Sequence, residues 1–146
     1  MTAAGEGAVP PALPVPVAPE RTLDGALGLQ GVELGPESLQ ASFDVVDRHR
    51  QRFGIVHGGT YAACAEALAS EATNAEVAAS GRIGVGLSNA TSFLRPIVSG
   101  RVTISGRALH RGRTTHVWDV EFLDAQGRRC ATSRVTVAVV AAPAAG

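Results

Sequence analysis

From Gln51 to Thr73 the chain reads QRFGIVHGGTYAACAEALASEAT, and no other stretch of the sequence can make a helix of comparable length. Ala62, Ala63, Ala65, Ala67, Ala69 and Ala72 favour helix strongly, while Gly58 and Gly59 stand where the chain must turn before the helix starts. Tyr61, Cys64, Ala65, Leu68 and Ala72 follow the i, i+3, i+4, i+7 spacing of a buried stripe. Glu66 and Ser70, four residues apart, share a different line on the same helix. A single long helix must cover whatever the rest of the chain builds, and the polar line is where chemistry is sought.

The remainder reads as strands. RTLDGALGL, residues 21–29, allows one short helical turn, and residues 31–34 a short strand closed by Gly35-Pro36. Leu39, Ala41, Phe43 and Val45 alternate with polar residues at the period of a half-buried strand. After the helix, Ser80-Gly81 is a stop signal. Four strand-like segments follow and are expected in hairpin succession. In the first, Ile83, Val85, Leu87, Thr91 and Phe93 are expected on one face, with Gly84, Gly86, Ser88, Ala90 and Ser92 on the other, a small-residue face that allows close approach. Val102, Ile104 and Ala108, then Trp118, Val120 and Phe122, then Ala131, Val135, Val137 and Val139 give the apolar faces of the other three.

One antiparallel sheet of about six strands and one helix to cover it make an α+β domain. The 146 residues suffice for one such domain, placed at 21–140. Residues 1–20, with five of the eight prolines and no period, are expected to form a disordered arm, and residues 141–146 a short tail. Basic and acidic residues balance at 13 each, so no field draws nucleic acid or an anionic membrane. All 13 basic residues are Arg, whose planar donor fork suits phosphate. Cys64 and Cys130 lack metal-ligand or redox spacing and read as small core residues of a reducing compartment. With no membrane-length apolar run and no signal-peptide pattern, a cytoplasmic protein is expected.

The segments RQRFGIVHGGTYAACAEALASEAT, VGLSNATSFLRP and TTHVWDVEF resemble the hotdog-fold acyl-CoA thioesterases. The resemblance is narrower to the 4-hydroxybenzoyl-CoA thioesterases that carry a catalytic Glu in the hotdog helix, relatives of the phenylacetate-pathway thioesterases. It spans about residues 23–139 and implies hydrolysis of an acyl-CoA thioester to free acid and CoA. CoA would be part of the substrate, with no separate cofactor and no metal. In the matching motif the resemblance assigns the Gly58 backbone N–H, the Gln51 amide and the Glu66 carboxylate to catalysis, with Ser70 at a position that is usually Thr and that places water. It assigns the phosphates of CoA to Arg95, Arg113 and Thr114. Arg113 replaces a residue that is often Ser, and the AAPAAG terminus lacks the basic residues some relatives use.

These residue types suit the chemistry. A thioester carbonyl under attack gathers negative charge, and the first N–H groups of a helix are unsatisfied donors at the positive end of its dipole. Gln51 can donate or orient. Glu66 serves either as a nucleophile through a mixed anhydride or as a general base on water. Eight helical residues rise about 12 Å, too far for Gly58 and Glu66 of one chain to meet one carbonyl. A composite site is therefore expected, which requires a homodimer, with a homotetramer of two dimers as the expected assembly. Carrier-protein thioesters, and a module that binds acyl-CoA without hydrolysing it, are the alternatives; a hydratase lacks its motif context.

Other residues take plainer readings. Glu71 and Glu76 are expected to be exposed helix charges, His57 to hold the glycine turn, and His49, His110 and His116 to lack a metal role. Trp118 is expected in the core, and Asn89 is given no role.

Overall fold

The structure, a computed structural model, describes residues 17–144. Residues 1–16 of the expected arm and residues 145–146 of the expected tail lie outside that range. A 3-10 turn at Pro19–Arg21 leads into helix α1, Leu23–Leu27. The Thr22 side chain accepts from the Gly25 N–H, and Gly28 ends the helix in the left-handed region at φ 65°. Strands β1, Gln30–Leu34, and β2, Ser38–Asp44, precede helix α2, Gly58–Val77. Strands β3, Arg82–Phe93, β4, Arg101–Arg111, β5, Thr115–Leu123, and β6, Arg129–Ala141, complete the domain.

The six strands make one antiparallel sheet in the order β1-β2-β4-β5-β6-β3. Helix α2 lies across its apolar face. Tyr61, Cys64, Ala65, Leu68 and Ala72 are all buried, and Ala69 and Thr73 widen the stripe. They pack on Val102 and Ile104 of β4, Trp118, Val120 and Phe122 of β5, and Val135 and Val137 of β6. Alanine predominates in this stripe, so the backbone can approach the sheet closely. The buried Trp118 indole donates from Nε1 to Thr73 Oγ1 at 3.1 Å, which fixes the azimuth of the helix over the sheet.

Two expectations about the strands require correction. Of the last four strands, β4, β5 and β6 follow one another as hairpins, but β3 does not pair with β4: it lies at the edge beside β6, while β4 pairs with β2 and β5. The connection from Leu94 to Gly100 crosses one end of the sheet. It is held by Leu94 N–H and Arg95 N–H on the Cys130 carbonyl, Val56 N–H on the Ile97 carbonyl, and Val45 N–H on the Gly100 carbonyl, with Ile97 buried beneath. Long-range pairing of this kind has no trace in local periodicity.

The second correction concerns the faces of β3. Its register against β6 shifts between Gly86 and Ser88, so Leu87 is an extra residue and the alternation inverts there. Gly84 and Gly86 face the helix before the bulge, and Asn89 and Phe93 face it afterwards. Val85 lies on the other face at 49% exposure, not with Phe93 as strict alternation predicts.

Candidate active site

The N-terminal end of α2 is built by a tight polar loop. His49, buried under β2, accepts the Val46 N–H at Nδ1, so its Nε2 carries the proton and donates to the Leu27 carbonyl at 2.9 Å. The Phe43 ring meets it edge to face at 4.9 Å. The His49 carbonyl in turn accepts from the His57 N–H and from the Thr60 hydroxyl. His57 is the N-cap: its Nδ1 accepts the Gly59 N–H at 2.8 Å. That is the turn-holding role expected of it. The Gly58 N–H has no acceptor among the described residues. A Cβ at Gly58 would lie 2.7 Å from the Phe93 ring, so only glycine lets this aromatic close over the start of the helix.

Gln51 sits seven residues before Gly58 in a turn closed by its own N–H on the Ile55 carbonyl and the Gly54 N–H on its carbonyl. Its Oε1 accepts the Phe53 N–H at 2.6 Å. A backbone N–H can only donate, so the side-chain carbonyl is the anchored end and the Nε2 amide hydrogens are the free ones. Both residues therefore present unused donors.

Glu66 is an exposed residue of α2 whose carboxylate lies over Gly86 of β3, where a Cβ would come within 2.6 Å of Oε1. Among the described residues it has neither an ion-pair partner nor a hydrogen-bond donor. Ser70, one turn on, is half-buried. The helix turn below Glu66 is tied to β3 by Asn89, whose Nδ2 donates to the Ala62 carbonyl at 2.9 Å. Asn89 Oδ1 accepts from the Thr91 hydroxyl, which also pairs with Ser133 at 2.8 Å. Asn89 thus anchors the catalytic candidate's helix immediately after the bulge. Its position in SNATSF was visible in the sequence, but its partner was not.

The structure does not bring the expected phosphate residues together within one chain. Arg95 follows the Phe93 end of β3, whereas Arg113 and Thr114 form the β4–β5 turn, with the Thr114 carbonyl accepting the Val139 N–H. The β3–β6 ladder between these ends runs from the Phe93–Ala131 pair to the Arg82–Ala141 pair, which puts them roughly 35 Å apart. All three residues are exposed.

Glu76 departs from its expected reading. It is no free helix charge but is clamped by Arg111, Nη2 to Oε1 at 2.6 Å, with Glu37 on the same guanidinium at 3.2 Å. That hydrogen bond holds the Glu76 carboxyl below the usual carboxylate range. His116 is buried with Nδ1 lacking a hydrogen bond and lying 3.8 Å from Glu76, and burial pushes its pKa down against the pull of Glu76. The Cys64 thiol is pushed up to about 12 by burial, and burial raises Cys130 as well, so neither is a nucleophile at neutral pH. Among the described residues no three His, Cys, Asp or Glu side chains gather as a metal site, and no helix is long and apolar enough to cross a membrane.

Comparison with known proteins gives this arrangement a context. The thioesterase superfamily profile matches residues 53–131, from the glycine turn through the helix to the start of β6. The chain is 41% identical over 127 residues to PA1618 of Pseudomonas aeruginosa, covering 87% of this chain and 86% of the relative. A glutamine-to-alanine variant of PA1618, solved as a thioesterase, superposes with a TM-score of 0.77 at 40% identity, over 83% of this chain and 87% of that one. The proofreading thioesterase EntH of Cronobacter turicensis is 39% identical over 82% of this chain and 86% of its own length. SAV0944 of Staphylococcus aureus has been solved with a glutamine replaced by alanine and with a glutamate replaced by alanine. The glutamate variant superposes with a TM-score of 0.77 at 27% identity, over 82% of this chain and 98% of that one. The chain belongs to the thioesterase superfamily and is a thioester hydrolase of the hotdog fold.

Proposed function

We propose that the protein hydrolyses an acyl-CoA thioester to a carboxylic acid and CoA, with an aromatic acyl group, 4-hydroxybenzoyl first, as the preferred substrate. The observation that carries the reading is the unpartnered Glu66 carboxylate seated over Gly86, on the same helix as the unused Gly58 N–H. The two substituted positions in SAV0944 lie fifteen residues apart, as Gln51 and Glu66 do, which supports giving these two residues the work. In this reading the Gly58 N–H, at the positive end of the helix dipole, receives the carbonyl oxygen as charge develops there, and Gln51 Nε2 donates beside it. Glu66 attacks the carbonyl carbon or takes a proton from water, and Ser70 orients that water.

The helix rise of about 12 Å between Gly58 and Glu66 requires that they serve different carbonyls within one chain. The site is accordingly shared, with Glu66 and Ser70 from one protomer facing Gln51 and Gly58 from the other. Strand β3 supports this: its outer edge pairs with no strand among the described residues, and Val85, Leu87 and Phe93 stand 49%, 66% and 60% exposed along it. A homodimer joined along β3, and a tetramer of two such dimers, is the proposed assembly. CoA enters as substrate, with no other cofactor, and the two buried thiols suit a reducing cytoplasm. Carrier-protein thioesters are the second substrate class, since they share the phosphopantetheine arm.

Thiol release from 4-hydroxybenzoyl-, benzoyl-, phenylacetyl- and straight-chain acyl-CoAs tests the substrate assignment. A preference for the aryl esters is expected; equal or greater turnover of straight-chain esters overturns the aromatic reading. Mixing Gln51→Ala protein with Glu66→Ala protein tests the shared site. Activity should return as subunits exchange, and no recovery despite demonstrated exchange rejects the arrangement.

A further inference from the structure

Seven of the 13 arginines pair with carboxylates, namely Arg50, Arg101, Arg107, Arg111, Arg128, Arg129 and Arg134. Arg82 is one of the rest, without a carboxylate partner among the described residues, and it lies against the backbone of another, Arg113. Its Nη1 donates to the Arg113 carbonyl, and its Nε donates to the Ser80 hydroxyl at 3.0 Å. These neutral acceptors orient the Arg82 guanidinium without neutralising it, and they leave Nη2 free. The nearby carboxylate, Glu76, is already held by Arg111. Arg82 and Arg113 thus stand at the same corner of the fold, and neither guanidinium has a carboxylate partner among the described residues, a disposition that suits an anion.

The corner also lies at a meaningful distance from the site. Arg82, Gly84 and Gly86 share the helix-facing side of β3 ahead of the bulge, and the Glu66 carboxylate lies over Gly86. Four residues of strand separate Arg82 from Gly86, about 13 Å. An extended pantetheine arm is longer than this, so a thioester carbonyl at Glu66 leaves the phosphates of the same molecule within reach of Arg82. Arg95 sits beyond the opposite end of the strand.

We propose that Arg82 binds the phosphates of the CoA end of the substrate together with Arg113, supplying the second cation of that site. The inference rests on the acyl-CoA reading above and deepens it, because a pair of guanidiniums suits a polyanionic nucleotide more than a single phosphodiester.

The test titrates CoA and pantetheine calorimetrically into wild type, Arg82→Ala, Arg82→Lys and Arg113→Ala, and measures KM and kcat for an acyl-CoA and the matching acyl-pantetheine. CoA affinity should fall about tenfold in each Ala variant, recover partly in Arg82→Lys, and weaken with salt in wild type. KM for the CoA ester should rise at constant kcat, while pantetheine binding and acyl-pantetheine turnover stay at wild-type values. Unchanged CoA affinity in Arg82→Ala overturns the proposal, and so does an equal loss with pantetheine, which would mark Arg82 as merely structural. Arginine-dependent CoA binding without hydrolysis of any ester would sustain this proposal and sink the hydrolase reading instead.

Discussion

The two edges of the sheet make opposite use of the same exposed backbone. β1 has five residues, a register shift against β2 between Gln30 and Glu33, and a glutamate on its short run, devices that discourage a second chain from pairing there. β3 has twelve residues, 11 of them paired with β6, and leaves apolar side chains exposed along its length. Its one irregularity, at Leu87, does not blunt the edge but turns Asn89 toward the helix carbonyl that steadies the turn below Glu66. The proposed dimer would join along this open edge, which lies under the candidate carboxylate, and not along β1.

That contrast can be broken at several points. The largest effect is expected for Glu66→Ala, which should lower turnover by about 10³-fold or more with an unchanged melting temperature, since an unpartnered exposed carboxylate contributes little to folding. Near-normal turnover in a thiol-release assay would remove Glu66 from the chemistry. Next in size, Leu87→Arg on β3 should shift the protein toward monomer in sedimentation and cut activity about tenfold at low protein concentration. The matched charge Val32→Arg on β1, also at an exposed position, should leave mass and activity unchanged. Equal behaviour of the two variants would erase the distinction between the edges.

Smaller effects sharpen it further. Gly86→Ala places a methyl 2.6 Å from Glu66 Oε1, so the carboxylate must move. A severalfold loss of kcat is expected with little change in stability, and an unaffected kcat would show that the carboxylate works elsewhere. Smallest is a pH effect at the far end of α2. His116 has its pKa lowered by burial, so it is neutral in the fold, and its contribution is present above the ordinary value of 6.5 and lost as pH falls through the lowered folded value. Melting temperature should therefore drop by about a few degrees below pH 6.5, in a step absent from a His116→Phe variant. A step of equal size in that variant would assign it to other groups.

Much of the local structure that holds the candidate site was legible in the sequence. Gly58, Gln51 and Glu66 lie within sixteen residues of one another, and the turn, cap and helix that hold them are local structures dictated by local residues. The inward faces of β2, β5 and β6, and Trp118 in the core, followed from alternation for the same reason. Ser70 was set beside Glu66 by its helix line, but the roles of Gln51 and the phosphate residues could be named only through resemblance, because an isolated Gln or an Arg in a turn has no distinctive pattern.

What the chain alone determined, then, is one Ala-rich helix with a glycine turn, enough alternating strands for one sheet, and a carboxylate on the helix's polar line. Tertiary structure decided that β3 leaves its sequence neighbour for β6 and becomes an edge, that the bulge at Leu87 exchanges its faces, that Glu76 is locked to Arg111, and that Arg82 touches Arg113. The physical reason is range. Periodicity and capping act over a few residues and are written in them, while the contacts of Asn89, Arg82 and Arg111 described above join residues 27 to 74 positions apart and are chosen by the packing of the whole domain.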